Sequence, residues 1–312
     1  MNANSVQSLI AGLFRDRLNS GEAPGSLRIA PPTLIDSTVG GYWYAQTDGR
    51  YDARTGGAAA LNADFERSDD SFEVKQVITQ RYPSKFKILP DALLRSMEQG
   101  DTSVVDQQVR SVMDYVYGNH VAATLASAAS LTADSLDISV PTTDARKQLA
   151  DMILEVQVAS GLRPNMIYMG AGAVQAFLDL DEFQQGVAIS GYTASGSAVR
   201  RTGASDWDYA AQWFASKLQL ELVVEDWTGI NASGTADFLA GASAVLAHTQ
   251  PGGGRSALKT AHMGGDNGGL ISVFTEQTKL PLTPGVGFAA QAQFAVEATE
   301  PTAGKFISLT LP

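Results

Sequence analysis

The stretch SVVDQQVRSVMDYVYGNHVAATL, Ser103 to Leu125, frames the whole chain. Val105, Val109, Met113, Tyr117, Val121 and Leu125 recur every four residues, and Val112 and Val116 widen the stripe. One apolar face on a helical period predicts an amphipathic helix. It runs for about 25 residues, roughly 37 Å at the usual rise, well above the globular mean. Ser103, with Asp106 three positions later, predicts a capping box at its start.

The flanks of this helix differ. Upstream, SFEVKQVI and KFKI (85–88) alternate apolar with polar residues and predict strands, and DALLRSM (91–97) predicts a short helix. Further upstream, residues 40–72 mix glycines, acids, arginines and aromatics without periodicity. That is too long for an ordinary connection. Its aromatics Tyr42, Trp43, Tyr44 and Tyr51 call for a partner surface. Arg50 and Arg54 lie beside the acids Asp48 and Asp52. The first 18 residues carry Val6, Leu9, Ile10, Leu13, Phe14 and Leu18 at helical spacing, a helix that docks on another element. Pro31 and Pro32 make the next segment an extended arm.

Downstream, a second helix is expected from Thr143 with Leu149, Met152, Ile153 and Val156 on its buried face, stopping at Gly161. PNMIYMGAGAVQAFL (164–178) reads as strand, glycine turn and helix. SGYTASGSAVRRTG (190–203) reads as a flexible loop. A third helix capped by Ser205 and Asp208 carries Trp207, Ala211, Phe214 and Leu218. Strands are expected at 218–226, 243–249, 288–296 and 305–311. The fold class is α+β, with helices in the middle and strands returning late.

The bulk composition narrows the chemistry. The chain has 312 residues, 44 % of them hydrophobic, so it can build a substantial core. It has no cysteine, which excludes disulfides, thiol nucleophiles and thiolate zinc sites. Its net charge is −11, from 22 basic and 33 acidic residues. That speaks against a basic stripe for nucleic acid. No apolar run approaches 18 residues, so no transmembrane helix and no membrane partner are expected.

No motif survives as a catalytic, cofactor or metal site. In the 164–178 stretch Gln175 replaces the third glycine of a dinucleotide fingerprint, and no acid follows at the required distance. Gly170 and Gly172 are therefore expected to serve a turn and close packing. QPGGGRSALKT misses the phosphate-loop pattern at Lys259 and Thr260 and reads as a mobile loop. His120, His248 and His262 are not at metal-ligand spacing. In GGDNGG only Asp266 could serve calcium. Asp179, Asp181 and Glu182 read as caps for a following helix.

The order of elements resembles that of tailed-bacteriophage major capsid proteins of the Hong-Kong-97-like fold. FEVKQVITQRYPSKFKILPDALLRSMEQGDTSVVDQQVRSVMDYVYGNHVAATL resembles the family's extended hairpin running into its spine helix. LRPNMIYMGAGAVQAFLDLDEFQQ resembles its axial-domain strand–turn–helix, and LELVVED with SAVLAHT resembles its paired axial strands. The resemblance implies an N-terminal arm (1–39), an extended loop (40–80), a peripheral domain with the spine helix (81–141), an axial domain (142–250) and a return to the peripheral domain (251–312).

It also implies a function without catalysis or cofactor. The chain would self-assemble as hexamers and pentamers into an icosahedral shell enclosing phage double-stranded DNA. The extended loop and the arm would touch neighbouring capsomers. A separate scaffolding protein, a portal and a decoration protein would be further partners, and DNA would be held only non-specifically. The implied location is the virion capsid, assembled in the bacterial host cytoplasm. Candidate intersubunit contacts are Tyr42, Trp43, Tyr44, Arg50, Tyr51, Arg54, Arg200 and Arg201. The last two face a symmetry axis in that picture, or are ordinary solvated charges. Only Lys75, at the base of the loop, is available there for a lysine crosslink, so none is expected. The alternatives are an encapsulin-like nanocompartment shell and, more remotely, a nucleotide-dependent α/β enzyme using Gly170 and Gly172.

Overall fold

A computed structural model describes residues 10, 12–13, 23–35, 39–45, 72–85, 87–90, 102–183, 206–230, 236–251, 254–265, 270–278 and 285–312. Helix α1 (Ser26–Ile29) leads into strands β1 (Pro32–Leu34), β2 (Val39–Ala45), β3 (Phe72–Ile78), β4 (Gln80–Pro83) and β5 (Lys87–Pro90). The long helix is α2 (Ser103–Ala128). Then come β6 (Thr132–Asp137), α3 (Ala145–Ser160), β7 (Met166–Gly170), α4 (Ala171–Leu178) and α5 (Asp206–Leu218). Strands β8 (Glu221–Glu225), β9 (Thr228–Ile230), β10 (Ala236–Phe238), β11 (Ser243–Ala247), β12 (Leu258–His262), β13 (Ile271–Thr278), β14 (Gly285–Ala298) and β15 (Gly304–Thr310) follow.

Helix α2 buries Val105, Val109, Val112, Met113, Val116, Tyr117, His120, Val121, Thr124 and Ala128. Valine is a mediocre helix former, so packing of this stripe, not propensity, holds the helix. The helix begins one residue earlier than expected. Ser103 lies one position inside the helix, and Thr102 is the N-cap, accepting the Asp106 N–H through its carbonyl. Helix α3 ends as expected. Asp144 accepts the Lys147 N–H at 3.0 Å, and Gly161 stops the helix with φ at 74°.

Two sheets organise the rest. The five-stranded sheet has the order β6-β15-β11-β7-β8, with β6–β15 and β7–β8 parallel and the others antiparallel. Each residue of β7 is buried, because strands flank it on both sides and both sheet faces are covered. In the six-stranded sheet β14 is central. Along one side it pairs β12 and then β13, along the other β4 and β5, and β1 adds in parallel to β12. Of the strands at 251–312, β12–β14 enter the six-stranded sheet and β15 enters the five-stranded one.

One reading is overturned. The expected mobile loop through Lys259 and Thr260 is instead β12, with all five of its residues buried between β1 and β14. Polar residue types hid it: Lys259 lies near Glu300, and Thr260 is hydrogen-bonded on both sides.

The apolar residues form two main cores. The first joins the α2 stripe to the inner face of the six-stranded sheet (Leu89, Val286, Phe288, Ala290, Phe294) and to one face of the five-stranded sheet (Met166, Tyr168, Val245). Ile10 is buried in it, with Leu13 against it. The second covers the opposite face of the five-stranded sheet with α3, α4 and α5, through Ile167, Met169, Leu246 and Ile307. Its centre is aromatic: Phe183 stacks on Trp213 at 3.9 Å, and Phe177 and Phe214 meet edge to face at 5.7 Å.

Candidate interaction surfaces and the buried anchor

Strands β2 and β3 form a separate antiparallel hairpin, in register from Val39–Ile78 to Ala45–Phe72. Tyr42, Trp43 and Tyr44 lie on β2, opposite Lys75, Val74 and Glu73. Arg50, Tyr51, Arg54, Arg200 and Arg201 lie outside the described residues, as do Ser205, Asp266 and the segment 91–97. The hairpin is tied to the six-stranded sheet at its base, where Val77 packs with Ile35 and Ala261 in a small third cluster.

Beyond that cluster, the outer face of the six-stranded sheet exposes apolar side chains where β5 and β13 flank β14. Ile88 on β5 stands opposite Gly287, and Phe274 on β13 stands opposite Ala289. Both side chains are about half exposed, at 45 % and 47 %. They flank a floor of small residues on β14, facing away from the buried Phe288 and Ala290. Farther along that face Arg81 Nε donates to Gln291 Oε1 at 2.5 Å. A mixed cleft of about 430 Å³ lies elsewhere, between α2 and the β8–β9 turn, lined by Arg110, Asp114, Tyr117, Asp226 and Trp227. Among the described residues, no group of histidines and acids could hold a metal ion, and no helix is long and apolar enough to cross a membrane.

Sequence reasoning missed a buried polar anchor where the arm enters the fold. Ser26, Ile29 and Ala30 are fully buried. Thr260 Oγ1 donates to the Ala30 carbonyl at 2.8 Å, so its proton is spent. Thr260 must therefore accept from His120 Nε2 at 2.9 Å, which places the histidine proton on Nε2. His120 Nδ1 then accepts from Ser26 Oγ at 2.8 Å. His120 stays neutral, its pKa pushed down to about 3 by burial and secondarily by His262. Thr249 Oγ1 donates to the Ile29 carbonyl at 3.3 Å.

On the other side of the arm, Glu225 ends β8 fully buried. Its Oε2 accepts from Tyr168 Oη at 3.1 Å and from the Ser26 N–H at 3.2 Å, while Oε1 has no partner. Burial pushes its pKa up to about 7 against the pull of those donors and the Trp227 N–H; Asp226 adds to the rise. The arm passes so close that a Cβ on Gly25 would lie 2.7 Å from Val223 Cγ1. The only sequence cue to Glu225 is an acid closing the apolar run LVV.

The strand–turn–helix at 164–178 makes close protein contacts at its first glycine. A Cβ on Gly170 would meet Gly241 O at 3.1 Å and Ala240 Cβ at 3.2 Å. Its φ of −69° is open to any residue, so close approach is the reason for glycine there. At Gly172 a Cβ would find only Phe238 at 4.0 Å.

No protein-family model matches the chain, and no curated protein sequence matches it. Solved structures do. A phage-related protein from Bordetella bronchiseptica RB50 is similar at 14 % identity and a TM-score of 0.65 over 96 % of each chain. A putative prophage capsid protein from E. coli CFT073 is similar at 10 % identity and 0.52 over 99 % of each. An encapsulin from Synechococcus elongatus PCC 7942 is similar at 8 % identity and 0.53, over 90 % of this chain and 85 % of that one. The chain thus has, over nearly its whole length, the Hong-Kong-97-like fold of tailed-phage capsid proteins and encapsulins.

Proposed function

We propose that this chain is a major capsid protein that self-assembles into a closed shell and catalyses no reaction. The observation that carries this reading is end-to-end coverage by a shell-protein fold, including the long helix and the arm-side hairpin. In this reading hexamers and pentamers tile an icosahedral virion shell around double-stranded DNA, assembled in the host cytoplasm. The extended loop at 40–80 and the arm at 1–39 bridge to neighbouring capsomers, with the spine helix in a peripheral domain and 142–250 forming the axial domain. A scaffolding protein, a portal and a decoration protein complete the partner set. Tyr42, Trp43 and Tyr44 on the hairpin, with Arg50, Tyr51, Arg54, Arg200 and Arg201, are the proposed intersubunit contacts. Aromatics and arginines are the residue types that anchor interfaces.

A nanocompartment shell is the second reading, supported by the encapsulin likeness. A nucleotide enzyme built on Gly170 has no support, because the 240–241 turn packs where a pyrophosphate would approach. Negative-stain microscopy of the expressed chain tests the proposal. Closed shells or capsomer rings are expected, and a compact monomer at high concentration overturns both shell readings. Nucleic acid inside the particles supports the capsid reading, and a protein cargo supports the nanocompartment.

A further inference from the structure

We infer that Glu225 is a proton-operated latch on the arm: its neutral form keeps the segment 25–30 docked, and its ionised form loosens it. The inference concerns the folded chain and does not rest on the shell reading. Its basis is geometric. The arm is the lid over this carboxyl group, since the Ser26 N–H bonds Oε2 and Gly25 lies against Val223 and Val224. With the arm in place Oε1 is buried without a partner. A proton on Glu225 removes the charge that this site solvates poorly, whereas an ionised carboxylate in the same site needs water. Undocking the arm supplies that water, so ionisation and undocking are linked.

The titratable groups on the elements packed against the arm leave Glu225 as the titrating member. From α2, His120 is held neutral by its two hydrogen bonds and by burial. From β7, the Tyr168 hydroxyl stays protonated, its pKa raised chiefly by burial. From β12, His262 is pushed toward its neutral form by burial, and Lys259 is set against Glu300. On the outer side Arg28 of the arm is paired with Glu221 of β8, and Asp226 adds repulsion to an ionised Glu225.

The direction follows from linkage. A carboxyl group whose pKa is about 7 when covered and 4.5 when exposed favours the docked arm fully below about pH 4.5. That preference falls by about tenfold per pH unit between the two values and levels off above about 7.

Hydrogen exchange of the backbone amides of residues 27–30, corrected for intrinsic rates, reads the opening directly. In the full chain between pH 5 and 8, protection is expected to fall by roughly tenfold to a hundredfold and then level off. Glu225→Gln should hold the pH 5 level of protection throughout. Tyr168→Phe removes a donor that favours the carboxylate, so its fall should extend to higher pH. A change of less than about threefold in the unsubstituted chain overturns the latch, as does an equal fall in Glu225→Gln. Should Glu225→Gln fail to fold, an unshifted profile in Tyr168→Phe overturns it.

Discussion

The two sheets solve the same problem differently. The five-stranded sheet is covered on both faces, by α2 and its neighbours on one side and by α3, α4 and α5 on the other. The six-stranded sheet buries its inner face and the β12 end of its outer face, while at the β5–β13 end Ile88 and Phe274 stand half exposed over small residues. A sheet finished within one chain asks nothing of a neighbour. A sheet left partly open on one face, beside a separate two-stranded hairpin, leaves a surface that a neighbour could cover. That division is what the proposed shell function calls for.

Three tests can break or sharpen this contrast. The largest effect is expected in the closed half. Phe177→Ala removes a fully buried ring from the aromatic centre and should cost about 3–5 kcal/mol, read as a lower urea midpoint. A loss below about 1 kcal/mol would mean the second core is looser than its packing. Next comes the turn leaving the closed sheet. Gly170→Ala forces a methyl group against Gly241 O and should cost about 1–3 kcal/mol, while Gly172→Ala, in the first turn of α4, should be neutral or slightly stabilising. Equal effects would show that close approach is not why Gly170 is glycine. The smallest effect on folding belongs to the open face. Ile88→Gln with Phe274→Gln should move stability by no more than about 0.5 kcal/mol each, while lowering the yield of shells in the microscopy assay. A cost as large as that of Phe177→Ala would show this face to be core.

The parts that were legible in the sequence are those where burial follows residue type. The valine stripe of α2 faces one core, so its period is visible, and the expected length of about 25 residues compares with 26 observed. The apolar run of β7 reflects a strand covered on both faces. Strand β12 was hidden because LKTAH buries a lysine, a threonine and a histidine, and the partners of Lys259 and Thr260 lie on other elements. Strand β13, ISVFTEQT, mixes both types because one of its faces is open. The anchor was beyond reach for another reason. Ser26 meets Glu225 across 199 residues and His120 across 94, and no local spacing encodes such a meeting. The candidate contacts on the hairpin were found by composition alone, and only Tyr42, Trp43 and Tyr44 fall among the described residues.

The place of β15 has a consequence for how the chain is made. Strand β6 pairs with β15 and with no other strand among the described residues. The buried Lys305 amine reaches back 171 residues to Asp134, and also meets Glu155 on α3. Until the ribosome has delivered residues 304–310, β6 has nothing to bond to and α3 lacks its ion-pair tie to the sheet. Closure of so distant a contact is slow and comes late. A chain interrupted before residue 304 would keep an open sheet edge at β11, a template for mispairing with another chain.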